Sequence, residues 1–386
     1  MEPAKIPART SHNERLLELD AIRGLAALGI VLFHYASSYQ WTVNHPYYYF
    51  RYLEEFVQVF FIISGFVILM SLTRLKRTLD FVVSRFARLY PGYWISVLIT
   101  IIIVYALNLE EPRTRSLFEI LANFSMLQGF IGVKNINIVY WTLALELAFY
   151  GIMLIIYRVR LLGKIDFIFG IWLTMVLLDT LKGNLAVSSL DFSPALASLD
   201  GGGIYFDTTH SVQVISMKVG IASDTLGFLK DYIKTNFVLL GGRASLFIAG
   251  VMLYQGWQLG FAPHRVMMIL VCILTEALDY SPDTPWYTFL FFASFVLVIY
   301  LAITDRIKTL ALQPLVFLGS ISYSLYLTHL PVNWVSRKFF SLWSLPSEIV
   351  LLVKVVLAIL IATIITRLIE EPAMKYIKQL YKKRFV

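Results

Sequence analysis

The side chains able to do chemistry stand inside apolar runs, where they are costly to keep. In "LDAIRGLAALGIVLFHY" the run is interrupted by Asp20, Arg23 and His34. Arg23 and His34 are eleven residues apart, three turns plus about 20°, so they share one helix face. "YWTLALELAFY" sets Trp141 beside a stripe of Thr142, Glu146 and Tyr150, and "SISYSLYLTH" aligns Ser322, Tyr326 and His329. Arg243 lies in "GGRASLFIAG". Ionisable groups in such runs are functional hypotheses by default. An imidazole, with an ordinary pKa of about 6.5, suits removal of a hydroxyl proton. A guanidinium or phenol beside it suits a developing oxyanion. A Glu146–Arg243 pair would let both charges be buried. From the rise per residue, His34, His329, Glu146 and Arg243 are expected near one level, about 20 Å above the inner membrane face.

A second group is basic. "RLKRTLDFVVSRFARLYPGYW" carries Arg85 and Arg88 three residues apart on one helix face, just before Pro91. Guanidiniums match phosphate oxygens through paired, charge-assisted hydrogen bonds. Ser64 and Gly65, and Gly241 with Gly242, are small enough for close backbone approach. Glu370 precedes Pro372 in "RLIEEP", where the proline is expected to stop or kink a helix. Each residue also has a plainer reading. The histidines could hydrogen-bond across helices, and Glu146 with Arg243 could be a structural ion pair. Arg85 and Arg88 could be inner-face anchors, Trp141 an interface aromatic, and Glu370 a solvated helix end.

The elements that must hold these residues follow from composition. The chain has 386 residues, 58% hydrophobic and 15% charged, with a net charge of +8. That balance excludes disorder and argues against a soluble enzyme, since a globule could not cover so much apolar surface. The single cysteine, Cys272, excludes an internal disulfide, a cysteine-rich zinc site and an iron–sulfur cluster. Continuous rather than alternating apolar runs argue against a β-barrel. The fold class is an all-α integral membrane bundle of about ten transmembrane helices. The expected spans are 21–37, 56–72, 91–109, 139–157, 165–181, 237–254, 264–278, 287–303, 315–334 and 348–368. The span at 165–181 has Asp166 and Asp179 at its ends, and that at 264–278 contains Glu276; both are weak. Residues 119–133 read as a re-entrant or interfacial helix.

With an even number of spans and both termini cytoplasmic, Lys and Arg concentrate on the inner side, at Arg74, Lys76, Arg77, Arg85, Arg88, Arg158, Arg160 and Lys164 among others. The organisation is then a cytoplasmic segment 1–20, a membrane domain 21–372 with a long extracytoplasmic insertion at 182–236, and a basic cytoplasmic tail 373–386. The tail is expected on the anionic inner leaflet rather than on nucleic acid. The leader, with Glu2, Glu14, Glu18 and Asp20, does not read as a cleavable signal peptide.

A phosphate-binding inner mouth and a histidine deeper in the membrane fit a long phosphorylated donor, and acyl-CoA has that shape. G-x-S-x-G, H-E-x-x-H and Walker patterns do not occur, and no metal site is expected. The chain resembles the acyltransferase 3 family of polytopic membrane acyltransferases. The likeness rests on "LDAIRGLAALGIVLFHY", "FFIISGFVI", "SRFARLYPGYW", "YWTLALELAFY", "RASLFIAG", "ISYSLYLTH" and "IEEP", in that order. It implies a ten-helix core, an acyl-CoA donor (acetyl-CoA expected) and O-acylation of an extracytoplasmic or lipid-linked glycan. It places the family's essential histidine at His34, its first-helix arginine at Arg23 and its basic pair at Arg85 and Arg88. Its later polar positions fall on Glu146, Arg243, His329 and Glu370. The expected catalytic set is His34, Arg23, Glu146 and His329, with donor binding by Arg85, Arg88 and Arg243. Asp20, Ser64, Gly65, Trp141, Tyr326 and Glu370 support them. The chain reads as the stand-alone type, in a bacterial inner membrane, with the oligomeric state left open. A transporter or flippase for a polar solute is the alternative, since a polar-lined bundle serves that too.

Overall fold

The structure is a computed structural model, and it describes residues 16–37, 48–75, 77–109, 115–188, 240–280, 285–340 and 345–385. Among them there is no β-strand. The helices are α1 (Leu17–Ala36), α2 (Val57–Thr73, led in by a 3-10 segment Tyr48–Phe56), α3 (Thr78–Leu107) and the short α4 (Leu117–Asn123). Then come α5 (Trp141–Arg158), α6 (Ile165–Ser188), α7 (Ala244–Leu259) and α8 (Pro263–Tyr280). The last four are α9 (Pro285–Ile303), α10 (Gln313–Phe340), α11 (Ser347–Ile365) and α12 (Glu371–Phe385). Each expected span overlaps one of these helices, residues 237–239 of the span 237–254 lying outside the described residues. Seven described helices are long and apolar enough to cross a membrane: α1, α2, α3, α5, α9, α10 and the run from α11 into α12. The chain is therefore an all-α membrane protein; α6, α7 and α8 do not meet that measure of length and apolarity. Of the expected insertion 182–236, the first residues continue α6 to Ser188, and 189–236 lies outside the described residues.

The chain divides into two compact units, Met1–Ile63 with Met70–Glu146 and Ile299–Val386, and Ser64–Leu69 with Leu147–Val298. In the first, α1, α10 and α11 share a core of Ala27, Val31, Tyr35, Ile321, Leu325, Val332, Ala358 and Ala362. Small residues let α1 and α10 touch backbone to backbone. A Cβ on Gly24 would meet Gly319 N and Leu315 O at 2.6 Å, and one on Gly319 would fall on the carbonyl of Asp20. Without hydrophobic drive between helices in lipid, such close packing is what holds them.

Two helices run through internal prolines, against the expectation that a span begins at Pro91. α3 starts at Thr78, thirteen residues before Pro91, and α10 contains Pro331. Proline offers no N–H to the carbonyl four residues back. For Pro331 that carbonyl is Leu327, which instead accepts from Ser96 Oγ at 2.9 Å and Asn137 Nδ2 at 3.4 Å. Because the Ser96 hydroxyl proton is so used, Tyr140 donates to Ser96 (2.7 Å) and Thr100 to Tyr140 (3.2 Å). Tyr323 OH likewise donates to Leu89 O at 2.8 Å. Leu89 thus faces Tyr323 and Ser96 faces Leu327, so α3 and α10 run parallel.

Pro372 does not stop its helix either. Thr366–Glu370 forms a π-turn, with Glu371 N donating to Thr366 O, and α12 continues to Phe385. The widened turn shifts the bonding frame just ahead of the proline, where its missing donor is tolerated. The segment expected to be re-entrant or interfacial is α4 followed by a 3-10 turn, Gln128–Ile131. α4 opens with a capping box: Glu119 N donates to Ser116 Oγ (3.2 Å) and Ser116 N to Glu119 Oε2 (2.8 Å). Those bonds hold the Glu119 carboxyl below its ordinary range.

The second unit packs α6, α7 and α8. Phe149 stacks on Phe247 with centroids 4.4 Å apart, and Phe66 meets Tyr254 edge-on at 5.3 Å. Asp166 takes Arg265 Nε at 2.8 Å and His264 Nε2 at 3.0 Å.

Candidate active site

α1 delivers His34 in its last turn and α10 delivers His329 at its middle; the ring centroids are 5.0 Å apart. The helices reach that meeting in parallel, since Gly319 sits against Asp20 and Gly24 at the other end of the seam. Neighbouring bonds fix the pair. Tyr35 OH donates to His329 O at 3.0 Å. Asn333 Nδ2 (3.3 Å) and Ser37 Oγ (2.7 Å) donate to His34 O, a carbonyl at the helix end where intrahelical donors run out. Asn333 in turn accepts from Lys354 Nζ at 3.3 Å; Asn333 and Lys354 are 4% and 3% exposed.

The protonation of His329 can be read from geometry. Its Nδ1 lies 2.7 Å from the carbonyl of Tyr326, so that nitrogen carries the proton. Nε2 then bears the lone pair, and it is buried with no hydrogen-bond partner among the described residues. His34 is half-buried where His329 is fully buried.

Tyr326, one turn below His329, donates to Val139 O at 3.0 Å and lies 3.0 Å from Thr142 Oγ1. Glu146, one turn further along α5, is within electrostatic reach of both Tyr326 and Tyr323. Trp141 opens α5 half-buried, its ring 6.0 Å from that of Phe61. The Thr142–Glu146 and Tyr326–His329 stripes therefore meet at Thr142 and Tyr326.

The basic group lies lower. Arg85 Nη2 donates to Ser71 Oγ at 3.0 Å, and its guanidinium covers the Phe81 ring at 5.5 Å. Arg88 is half-buried within electrostatic reach of Glu370. Glu370, on the π-turn, accepts from the Ser324 hydroxyl and fills the space beside Gly92, where any Cβ would strike its carboxylate. The two α3–α10 contacts put Arg88 roughly 10–15 Å and Arg85 roughly 15–20 Å below the imidazole pair along the helix axes. Arg23, 3.9 Å from Asp20, sits at the level of Gly319, again about 15 Å below.

Ser64, Gly65 and Arg243 belong to the second unit. A Cβ on Gly65 would meet the carbonyl of Phe247. Arg243 is ion-paired with Glu276, which also takes Ser245 Oγ at 2.6 Å; Asp279 follows at 4.0 Å. Glu276, noted in the sequence only as a charge inside a weak span, is a carboxylate that the second unit itself supplies to Arg243. Lys354 and Asn333 were not anticipated. The signal for Lys354 was present, a lone cation in "VLLVKVVLAIL".

A polytopic helical membrane protein with two imidazoles packed at the end of a polar seam, and guanidiniums further down it, has the layout of a membrane group-transfer enzyme. The acyltransferase 3 family, described as an acyltransferase domain, matches residues 16–369, and the chain belongs to it. It is 23% identical over 385 residues to the O-acetyltransferase OatA of Staphylococcus aureus strain NCTC 8325 / PS 47, and equally to OatA of strain COL. SACOL0978 of strain COL is 25% identical over 387 residues. Each alignment covers 92% of this chain and 57% of the relative, so the chain spans little more than half the length of those proteins. No solved structure matches the chain.

Proposed function

We propose that the protein is a membrane O-acetyltransferase that moves an acetyl group from cytoplasmic acetyl-CoA to a hydroxyl of an extracytoplasmic or lipid-linked glycan, in a bacterial inner membrane. The observation that carries this is the His34–His329 pair, 5.0 Å apart, standing above the guanidiniums of Arg85 and Arg88. Arg85 and Arg88 bind the phosphates of the donor, whose thin arm runs up the seam to the imidazoles. Arg23 is too far down α1 to touch His34, about 16 Å by helical rise, and acts on the donor instead.

His34, the more open of the two imidazoles, takes the proton of the acceptor hydroxyl as its oxygen attacks the thioester carbon. The carbon–sulfur bond then breaks, and the proton passes from His34 to the departing CoA sulfur. His329 holds the neutral tautomer beside it, and Glu146 and Tyr326 shape the pocket wall. Glu370 keeps Arg88 in place. The name OatA speaks for O-acetyl transfer in a relative; the acceptor here is argued from the half-buried histidine at the outer end of α1.

The test is transfer of label from [14C]acetyl-CoA to glycan in membranes holding the wild type or His34→Ala. Label in the wild type with none in a His34→Ala variant that inserts normally is expected. Full activity in that variant would overturn the role of His34. Solute uptake without any acetyl transfer would favour a transporter.

A further inference from the structure

The tail helix α12 carries more than inner-leaflet anchors. Two contacts fix it antiparallel to α3: Glu370 against Gly92 at one end, and Tyr381 OH donating to Asp80 Oδ1 at 2.7 Å at the other. The stretch between holds Arg85 and Arg88 on α3. On α12, Lys378 lies one turn before Tyr381, on the same face. Lys378 is half-buried, whereas Lys375, Lys382 and Lys383 are exposed. It lies within electrostatic reach of both arginines. Neither Arg88 nor Lys378 has an ion-pair partner within 4.0 Å among the described residues. The two carboxylates beside this cleft accept hydroxyl hydrogen bonds, Asp80 from Tyr381 and Glu370 from Ser324, and Glu370 is also within electrostatic reach of Arg88. Lys378 is repelled by both arginines, a repulsion that an anion lying among them would relieve.

We infer that Lys378 completes a three-cation cleft with Arg85 and Arg88 that grips the phosphates of a nucleotide, so that α12 is one wall of the donor site. The inference rests on the reading of a CoA thioester as donor. Three positive groups on two helices suit several phosphates spread along a nucleotide better than one headgroup phosphate. Burial of Lys378 against α3, away from the exposed lysines of the same helix, separates it from a membrane-surface contact.

The experiment uses the full-length protein in nanodiscs of zwitterionic lipid. Initial rates are measured with acetyl-CoA and with acetyl-pantetheine, which lacks the nucleotide phosphates, for wild type, Lys378→Ala, Lys378→Arg, Lys375→Ala, Arg85→Ala and Arg88→Ala. The expectation is a rise of about tenfold in the KM for acetyl-CoA with Lys378→Ala, with kcat and the KM for acetyl-pantetheine unchanged. Arg at 378 should restore binding, and Lys375→Ala should behave as wild type. In parallel, adenosine 3′,5′-bisphosphate should raise the melting temperature of wild type but not of Lys378→Ala. If Arg85→Ala and Arg88→Ala raise the donor KM while Lys378→Ala does not, the inference fails and the proposed function stands. If the effect of Lys378→Ala appears only when anionic lipid is included, the lysine serves the membrane and the inference also fails. Should wild type show no acetyl transfer, the proposed function fails, and the bisphosphate melting shift alone decides whether the nucleotide cleft exists.

Discussion

Lys354 shows how a single residue can be forced on a membrane core and still be accommodated. Among the described residues its ammonium reaches only the amide oxygen of Asn333, whose amide N–H holds the carbonyl of His34. Removing one member of such a pair strands the other, whereas removing both leaves nothing unsatisfied. Asn333→Ala is therefore expected to lower stability by about 1–3 kcal/mol, and Asn333→Leu with Lys354→Met by much less. Melting temperatures in detergent check this; a double variant worse than the single one would mean that Lys354 is held by something else. At this scale the sequence was informative where spacing was regular. Arg23 and His34, or Tyr326 and His329, share faces because helical geometry leaves no choice. Asn333 was silent because an amide four residues beyond a histidine looks like any other polar residue on that face. Glu276 was not foreseen as a partner of Arg243, since sequence gives depth in the membrane and not which helix stands beside which.

Among the elements, the α1–α10 seam has the least slack. Gly319→Ala places a methyl on the carbonyl of Asp20, backbone against backbone, where no rotamer can yield. An overpacked site of this kind costs about 1–3 kcal/mol, and it also spreads the helices that bring His34 to His329. The variant should melt lower and lose activity, while Gly163→Ala, with nothing within 4 Å of the added carbon, should match wild type. Equal melting of the two would show that the seam opens freely. Helix existence was legible here, because apolar runs of this length allow little else. Boundaries near proline were not. Pro91 looks like a beginning in sequence, yet α3 begins at Thr78. Pro331 is tolerated because Ser96 and Asn137, distant in sequence, take the carbonyl it releases.

For the whole molecule, composition alone defined the class, but α6, α7 and α8 do not carry the length and apolarity of the other spans. Ten crossings with both ends inside the cell are the proposal drawn from the apolar runs and the distribution of Lys and Arg, and labelling can test them. Cys272 is the only cysteine and is 1% exposed, so the background is quiet. Lys383→Cys should react with a membrane-impermeant maleimide in inverted vesicles and not in intact cells. Tyr49→Cys, at a position 69% exposed, should show the opposite. Labelling of Lys383→Cys from outside would reverse the orientation and put the guanidiniums on the wrong side for a cytosolic donor.

The wide turn at Thr366–Glu370 amounts to one surplus residue threaded into an otherwise continuous helix. Excising any one of those five would let the helix close to its usual pitch and swing everything after it by about 100°. Tyr381 would then lose Asp80, and the lysine face of the tail would turn off α3, although every side chain remained in place. A length change of one, harmless in most loops, is thus forbidden at this spot, and lineages of the family should keep the count of residues between Ala362 and Pro372 even where their identities drift.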